Sequence, residues 1–307
     1  MQLIHAAAEL KPGSKKVCLA IGVFDGVHLG HQQIIRQTVA DARQHDGLAL
    51  VVTFDQHPNS IVAPDRVPPL LYSPPQKLRT IASLGSDALL MLRFDRTFSE
   101  QTGDRFIRRL AGELGRIQGI CVGADFIFGH KRSGNVALLK KLGGELGFTV
   151  HGVAAVSLDG QAVSSTRIRD AIRAGDFDAA SQMLGRAYSL AGIVVRGDQL
   201  GHQLGFPTAN LDSTGLLLPP VGVYAAHANT AGKSFRAVLN IGRRPTLKNL
   251  SPELRVEVHL LDFNGDLYGQ ELEVTFAAKL RDERKFASLD ELKTQITRDI
   301  ADARTRF

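Results

Sequence analysis

The chain has no tryptophan, only four tyrosines and only two cysteines in 307 residues. With no tryptophan and few tyrosines a base-stacking platform has thin support, which weighs against a single-stranded nucleic-acid binder. Cys18 and Cys121 both lie in apolar runs, and two such residues make no disulfide framework, so a reduced, cytoplasmic setting is expected. No window holds the roughly 18 continuous apolar residues that a membrane span needs. Residues 1–13 lack a basic-then-apolar layout, so export is not expected. A basic tail is missing too: the net charge of +6 divides into +4 before Met183 and +2 after it. An excess spread so evenly suits phosphate-bearing small molecules as well as nucleic acid.

What is present is a chain long enough for about two domains. Its charged fraction of 22% and hydrophobic fraction of 44% exclude a disordered chain. Up to about Leu184, apolar runs alternate with helical patterns. Residues 17–21, 48–54, 88–92, 120–123 and 148–153 read as strands. Residues 29–43, 104–114, 135–146, 166–174 and 178–184 read as helices, and Ser73-Pro74 opens another that Gly85 closes. This alternation implies an α/β domain with a parallel sheet covered on both faces, whose ligands sit at the carboxyl ends of the strands. After about Met183 the rhythm becomes all-β. Residues 188–196, 221–228, 234–240, 254–261 and 271–278 read as strands, with Asn264-Gly265 as a turn signal. Ser288 to Glu291 is a capping box opening a last helix to about Arg304. This half points to a small closed barrel or sandwich, and the boundary falls near 183–187.

Five stretches could carry chemistry. The first is Gly22-Val23-Phe24-Asp25-Gly26-Val27-His28-Leu29-Gly30-His31, where a buried strand turns into a helix. A helix start offers free N–H groups to anions, and His28 and His31 fall on one face of its first turn. Gly30 leaves the backbone open to a phosphate. Two imidazoles there suit an α-phosphate under in-line attack; a metal would need a third ligand. The second is Val163-Ser164-Ser165-Thr166-Arg167-Ile168-Arg169, hydroxyls and arginines at a helix start, a second anion site or an ordinary cap. The third, residues 122–134, combines glycines with Asp125, Phe126, Phe128, Lys131 and Arg132. It could hold a planar phosphorylated ligand, or simply pack two phenyl rings. The fourth is Gly201-His202-Gln203-Leu204-Gly205-Phe206-Pro207-Thr208-Ala209-Asn210. Gly201 and Gly205 let amides close over phosphates, and Thr208 and Asn210 offer hard oxygens to Mg²⁺. The fifth is Glu257, which shares the polar face of an alternating strand with Arg255 and His259 and could act as a general base.

Together these stretches resemble the bifunctional prokaryotic riboflavin kinase/FMN adenylyltransferase (FAD synthetase) family over nearly the whole chain. Residues 22–31, 122–134 and 164–169 resemble its adenylyltransferase half. Residues 201–210, Asn240-Ile241-Gly242 with Pro245-Thr246, and Val256-Glu257 followed by Leu260-Leu261-Asp262-Phe263 resemble its kinase half. The departures are Val23, where many members have Asn, and Gln56, where Pro is frequent; residues 60–70 match no part of the pattern.

The resemblance implies a Rossmann-like nucleotidyltransferase domain over 1–184 and a Greek-key β-barrel with a C-terminal helix over 185–307. It implies Mg²⁺ and two ATP-dependent reactions, riboflavin to FMN and then FMN to FAD with pyrophosphate released. His28 and His31 would stabilise the α-phosphate transition state. Gly22, Phe24, Gly30, Ser164, Ser165 and Arg167 would lie about the ATP phosphates. Asp125, Phe126, Phe128 and Arg132 would lie by the flavin. Thr208 and Asn210 would hold Mg²⁺, and Glu257 would be the kinase base. Its partners would be small molecules, with no nucleic acid and no membrane. A monofunctional FMN adenylyltransferase with a barrel that only binds flavin remains an alternative, as does a flavin-responsive regulator of nucleic acid.

Overall fold

The computed structural model describes residues 1–243 and 254–307; Pro245 and Thr246 lie outside them. Contacts divide the chain into two compact units. One is Met1–Pro69 with Pro74–Ser165, and the other is Leu70–Ser73 with Thr166–Phe307.

The first unit is built on six parallel strands. These are β1 (Gln2–Ile4), β2 (Val17–Ile21), β3 (Leu48–Phe54), β4 (Ala88–Leu92), β5 (Ile117–Gly123) and β6 (Thr149–Val153), in the order β1-β4-β3-β2-β5-β6. Every residue of β2 is buried, as expected for a central strand covered on both faces. The covering helices include α1 (Leu29–Gln44), α2 (Pro74–Ala82), α3 (Gly103–Leu114) and α4 (Val136–Leu146). Thr102 caps α3 by accepting from Arg105 N, and Asn135 caps α4 by accepting from Leu138 N. The chain steps outward from β2 to β3 to β4, then crosses back to lay β5 and β6 on the other side of β2. That reversal is a topological switch point, and it opens a crevice outside the carboxyl ends of β2 and β5. The loops after those two strands are residues 22–28 and 124–135, so two of the five stretches flank the crevice. The segment 60–70 carries part of a helical turn, Asn59–Val62, and a 3-10 turn, Pro64–Arg66.

α5 (Ser165–Ala174) and α6 (Phe177–Leu184) lead into the second unit. Its strands are β7 (Ser189–Val195), β8 (Ala209–Leu211), β9 (Gly222–Thr230), β10 (Lys233–Arg243), β11 (Leu254–Leu260) and β12 (Glu271–Arg281). They close as an antiparallel barrel in the order β7-β8-β11-β10-β9-β12. Strands β9 to β11 form a meander and β12 returns beside β9, which is the Greek-key arrangement. The barrel is filled by residues such as Leu190, Tyr224, Leu239, Val256, Val258 and Leu272. The alternation across residues 254–260 is what puts Val256 and Val258 inside. α7 (Leu289–Arg304) begins at the predicted capping box: Ser288 Oγ accepts from Glu291 N, and a Glu291 carboxylate oxygen accepts from Ala287 N. Buried Asp299 on α7 pairs with Arg281 of β12 at 2.7 Å. The segment Leu70–Ser73 joins this unit through the Leu70 N–H, which donates to Gly215 O, and the Leu70 carbonyl, which accepts from Leu217 N. Among the described residues no helix is long and apolar enough to cross a membrane.

Candidate active sites

At the end of β2 the chain cannot continue straight, because only seven residues separate it from α1. It makes the corner with left-handed backbone at Phe24 (φ 52°), Gly26 (φ 75°) and Val27 (φ 40°). For β-branched Val27 this is a strained conformation of the kind concentrated at functional sites. The surroundings hold it: Thr53 Oγ1 donates to Val23 O at 3.0 Å, and the buried Gln32 amide donates to Val27 O at 3.0 Å. Phe24 is fully enclosed and turns its ring edge to His31 at 5.3 Å. His28 is the N-cap residue of α1, and its ring stacks on His31 with centroids 3.6 Å apart. The expected pairing of the two imidazoles is present. Gly22 and Gly30 serve ring packing: a Cβ on Gly22 would come within 3.0 Å of the Phe24 ring, and one on Gly30 within 3.3 Å of His28 Cε1.

The Nδ1 of His31 is enclosed and has no hydrogen-bond partner among the described residues. Burial, with His28 and Lys77 as further causes, holds its pKa well below the ordinary value. His31 is therefore neutral at physiological pH, and the stacked pair does not carry two positive charges.

The second stretch reaches the same corner through its first residues. Ser165 Oγ donates to Asp25 O at 3.1 Å across 140 residues of sequence. Arg167 follows on α5 in the other unit. In the third stretch Asp125 and Arg132 are exposed, while Phe126 and Phe128 are half-buried. These two rings stack at 5.1 Å, and Phe128 continues through Phe106 and Phe98 to Phe54 at the end of β3. The two phenyl rings pack against the core while staying half-buried, and Asp125, Lys131 and Arg132 are exposed.

In the barrel, β8 places Asn210 directly opposite Glu257 of β11, and Glu257 is in turn opposite Asn240 of β10. Val256 and Val258 point into the core, so this row of three half-buried polar residues lies on the outer face. Arg255 and His259 flank Glu257 on that face. Arg255 pairs with Asp198 at 3.1 Å, and the His259 ring bonds Pro207 O at 2.8 Å. Thr208 lies two residues before Asn210 and borders a cleft of about 400 Å³ together with His202, Pro207, Phe263, Asp266 and Tyr268. Gly201 lies against Thr208: a Cβ there would sit 2.5 Å from Phe206 O and 3.1 Å from Thr208 Oγ1. Gly205 closes the short helix Leu200–Leu204 at φ 88°. Thr208 hydroxyl and Asn210 amide oxygen are hard oxygen donors, which fits Mg²⁺ keeping several water or phosphate ligands. Among the described residues no group of three His, Cys, Asp or Glu could hold a metal by itself.

Asn240, named in the sequence only within its Asn240-Ile241-Gly242 stretch, joins the Glu257 row through strand register. One functional candidate escaped the sequence reading. Lys77 reaches the end of β3 from α2, its Nζ donating to Phe54 O at 3.2 Å; a lysine in an amphipathic helix carries no signal of that.

Residues 10–167 match the FAD synthetase family, and residues 184–307 match the riboflavin kinase family. The bifunctional riboflavin kinase/FMN adenylyltransferase of Escherichia coli K12 is 39% identical over 100% of this chain and 98% of its own. The Pseudomonas fluorescens and Bacillus subtilis proteins of the same name are 40% and 35% identical, over 97% and 96% of their lengths. A solved Streptococcus pneumoniae chain, named as a macrolide-efflux protein, shares 30% identity with a TM-score of 0.81 over 98% of both chains. An α/β unit and a Greek-key barrel with these matches define an ATP-dependent transferase acting on flavins. The chain belongs to the bifunctional riboflavin kinase/FMN adenylyltransferase family. It converts riboflavin to FMN and FMN to FAD, and a barrel that merely binds flavin is set aside.

Proposed function

We propose that each reaction has its own constellation, adenylylation at the residue 22–31 corner and phosphorylation at the Asn210–Glu257–Asn240 row. In the first, ATP lies at the switch point with its α-phosphate over the start of α1. His28 and His31 donate to the oxygens that gain charge as the FMN phosphate attacks. Phe24 holds His31 in place, and Gly22 and Gly30 give the rings their room. Ser164, Ser165 and Arg167 hold the remaining phosphates. Asp125 and Arg132 meet the FMN, and Phe126 and Phe128 support that loop beside the ring. The observation that carries this reading is the stacked histidine pair at a strand-to-helix corner outside the switch point.

In the second, Glu257 takes the proton from the 5′-hydroxyl of riboflavin as that oxygen attacks the γ-phosphorus and ADP leaves. Gly201 and Gly205 let the backbone close on the ATP phosphates. Thr208 and Asn210 hold Mg²⁺, which when bound offsets phosphate charge. The family matches and the change from parallel to antiparallel strands support a boundary at 184/185, with adenylylation over 1–184 and phosphorylation over 185–307. The partners on this reading are small molecules, without nucleic acid or membrane, in the cytoplasm.

The test assays FMN formation and FMN-dependent FAD formation separately in His28→Ala and Glu257→Gln. Each variant is expected to lose one reaction and keep the other. A single substitution that removes both with the fold intact overturns the two-site reading.

A further inference from the structure

The histidine corner is short of positive charge. Two imidazoles stacked 3.6 Å apart repel if both are protonated, and His31 is enclosed and neutral. An α-phosphate under attack spreads growing negative charge over its non-bridging oxygens. A neutral donor stabilises that charge less than a cation does.

The same unit holds a cation near this corner. α2 packs against the turn Asp25–Val27 that begins the corner. Lys77 extends from α2 to the end of β3, the strand beside β2, where its Nζ donates to Phe54 O at 3.2 Å. Among the described residues that carbonyl is its one hydrogen-bond partner, which leaves two of three ammonium donors for a ligand. The side chain is half-buried. Burial lowers its pKa, and the carboxylates of Asp25 and Asp55 work against that. Lys77 is also among the charges that act on His31. A lysine so placed lies within the electrostatic reach of the histidine pair.

We propose that Lys77 is a further catalytic residue of adenylyl transfer, its ammonium donating to a non-bridging oxygen of the ATP α-phosphate while that phosphorus is attacked. The assignment rests on the histidine corner being the α-phosphate site. In the step, an FMN phosphate oxygen forms the new bond to Pα. The bond from Pα to the oxygen bridging to the β-phosphate breaks, and its electron pair leaves with pyrophosphate. Lys77 keeps its proton throughout and supplies charge.

The test must separate charge from a mere tie between α2 and β3. FAD formation from FMN is measured in single turnover at saturating ATP for Lys77→Met and Lys77→Cys. The Cys variant is then alkylated with 2-bromoethylamine, which restores an ammonium at nearly the length of lysine. Cys18 and Cys121 are buried, with thiols pushed up to about 11 and about 12, so the native thiols are poor competitors for the reagent. Lys77→Met is expected to slow the step about 10²–10³-fold, with a much smaller change in KM for ATP. Aminoethylation is expected to recover most of the rate. Riboflavin phosphorylation in the same samples reports the concentration of folded barrel, and a thermal melt reports the first unit. If the Met variant does not fold, Lys77→Gln, which can still donate to a carbonyl, carries the same expectation. A Met or Gln variant within about threefold of the parent overturns the proposal. So does an aminoethylated variant as slow as its Cys precursor. His28→Ala run alongside tells the two readings apart: if it also keeps FAD formation, the site itself is misplaced, and if it alone loses it, only the role of Lys77 falls.

Discussion

On the proposed assignment the two units both act on ATP phosphates, yet they gather their polar groups in opposite ways. The parallel-sheet unit draws on loops that are distant in sequence, residues 22–31, 124–135 and Ser165, because the crossing-over of its strands brings several strand ends to one crevice. The barrel unit draws on neighbours in register: Asn210, Glu257 and Asn240 stand in one row because three strands run side by side. In the first unit backbone conformation does the positioning, down to left-handed Val27. In the second, hydrogen-bond register does it, and no backbone strain is needed along that row.

The sharpest test of this division is Glu257→Gln. Removing a general base is expected to lower riboflavin phosphorylation about 10²–10⁴-fold, with FAD formation from supplied FMN unchanged, as product separation by chromatography reads directly. His28→Ala is the mirror image. Loss of one donor to a developing anion is expected to cost FAD formation about 10²–10³-fold while FMN still accumulates from riboflavin. Next comes Gly30→Ala, which presses a methyl to 3.3 Å from the His28 ring. Because small displacements of catalytic groups are costly, roughly a 10-fold loss of FAD synthesis without loss of stability is expected in steady-state assays.

The smallest effect is on stability. His31 has a folded-state pKa depressed below the ordinary value near 6.5. Below that value the unfolded chain binds a proton that the folded chain refuses, so stability falls as pH falls through and beneath it, by at most about 1.4 kcal/mol per pH unit. Denaturant unfolding between pH 7.5 and 5 is expected to show a shallower slope in His31→Gln. Equal slopes would mean that His31 is not held neutral.

The sheet of the first unit could be read from sequence because residues 17–21, 48–54 and 88–92 are continuous apolar runs, the mark of strands buried on both faces. The residue 254–260 strand was equally plain, from its period of two. Short strands were not visible, including Gln2–Ile4, Ala209–Leu211 and the two-residue pairs at 127–128 with 134–135 and 157–158 with 161–162. Gln2–Ile4 and Ala209–Leu211 have three residues each, too few to show a period, and their place is set by partners. The histidine pair was legible because its whole geometry is local, three residues apart on one helix turn. The Glu257–Asn240 row was not, since register between β10 and β11 is a property of the folded barrel. The two phenylalanines near 127 read equally well as ligand contacts or as core; they stack on each other, and Phe128 meets Phe106 of the core edge to face. Lys77 was hidden because its meaning depends on which carbonyl its long side chain meets.

The four residues Leu70–Ser73 make the second unit discontinuous. A fragment starting at residue 185 would leave the Leu217 amide and the Gly215 carbonyl without the Leu70 groups that satisfy them. It would also strip away Phe177, whose ring leans on Tyr188, Tyr224 and Phe276. A ribosome reading this message makes the strip at 70–73 more than a hundred residues before the barrel residues that it pairs with, so those two hydrogen bonds close only after the barrel has been synthesised.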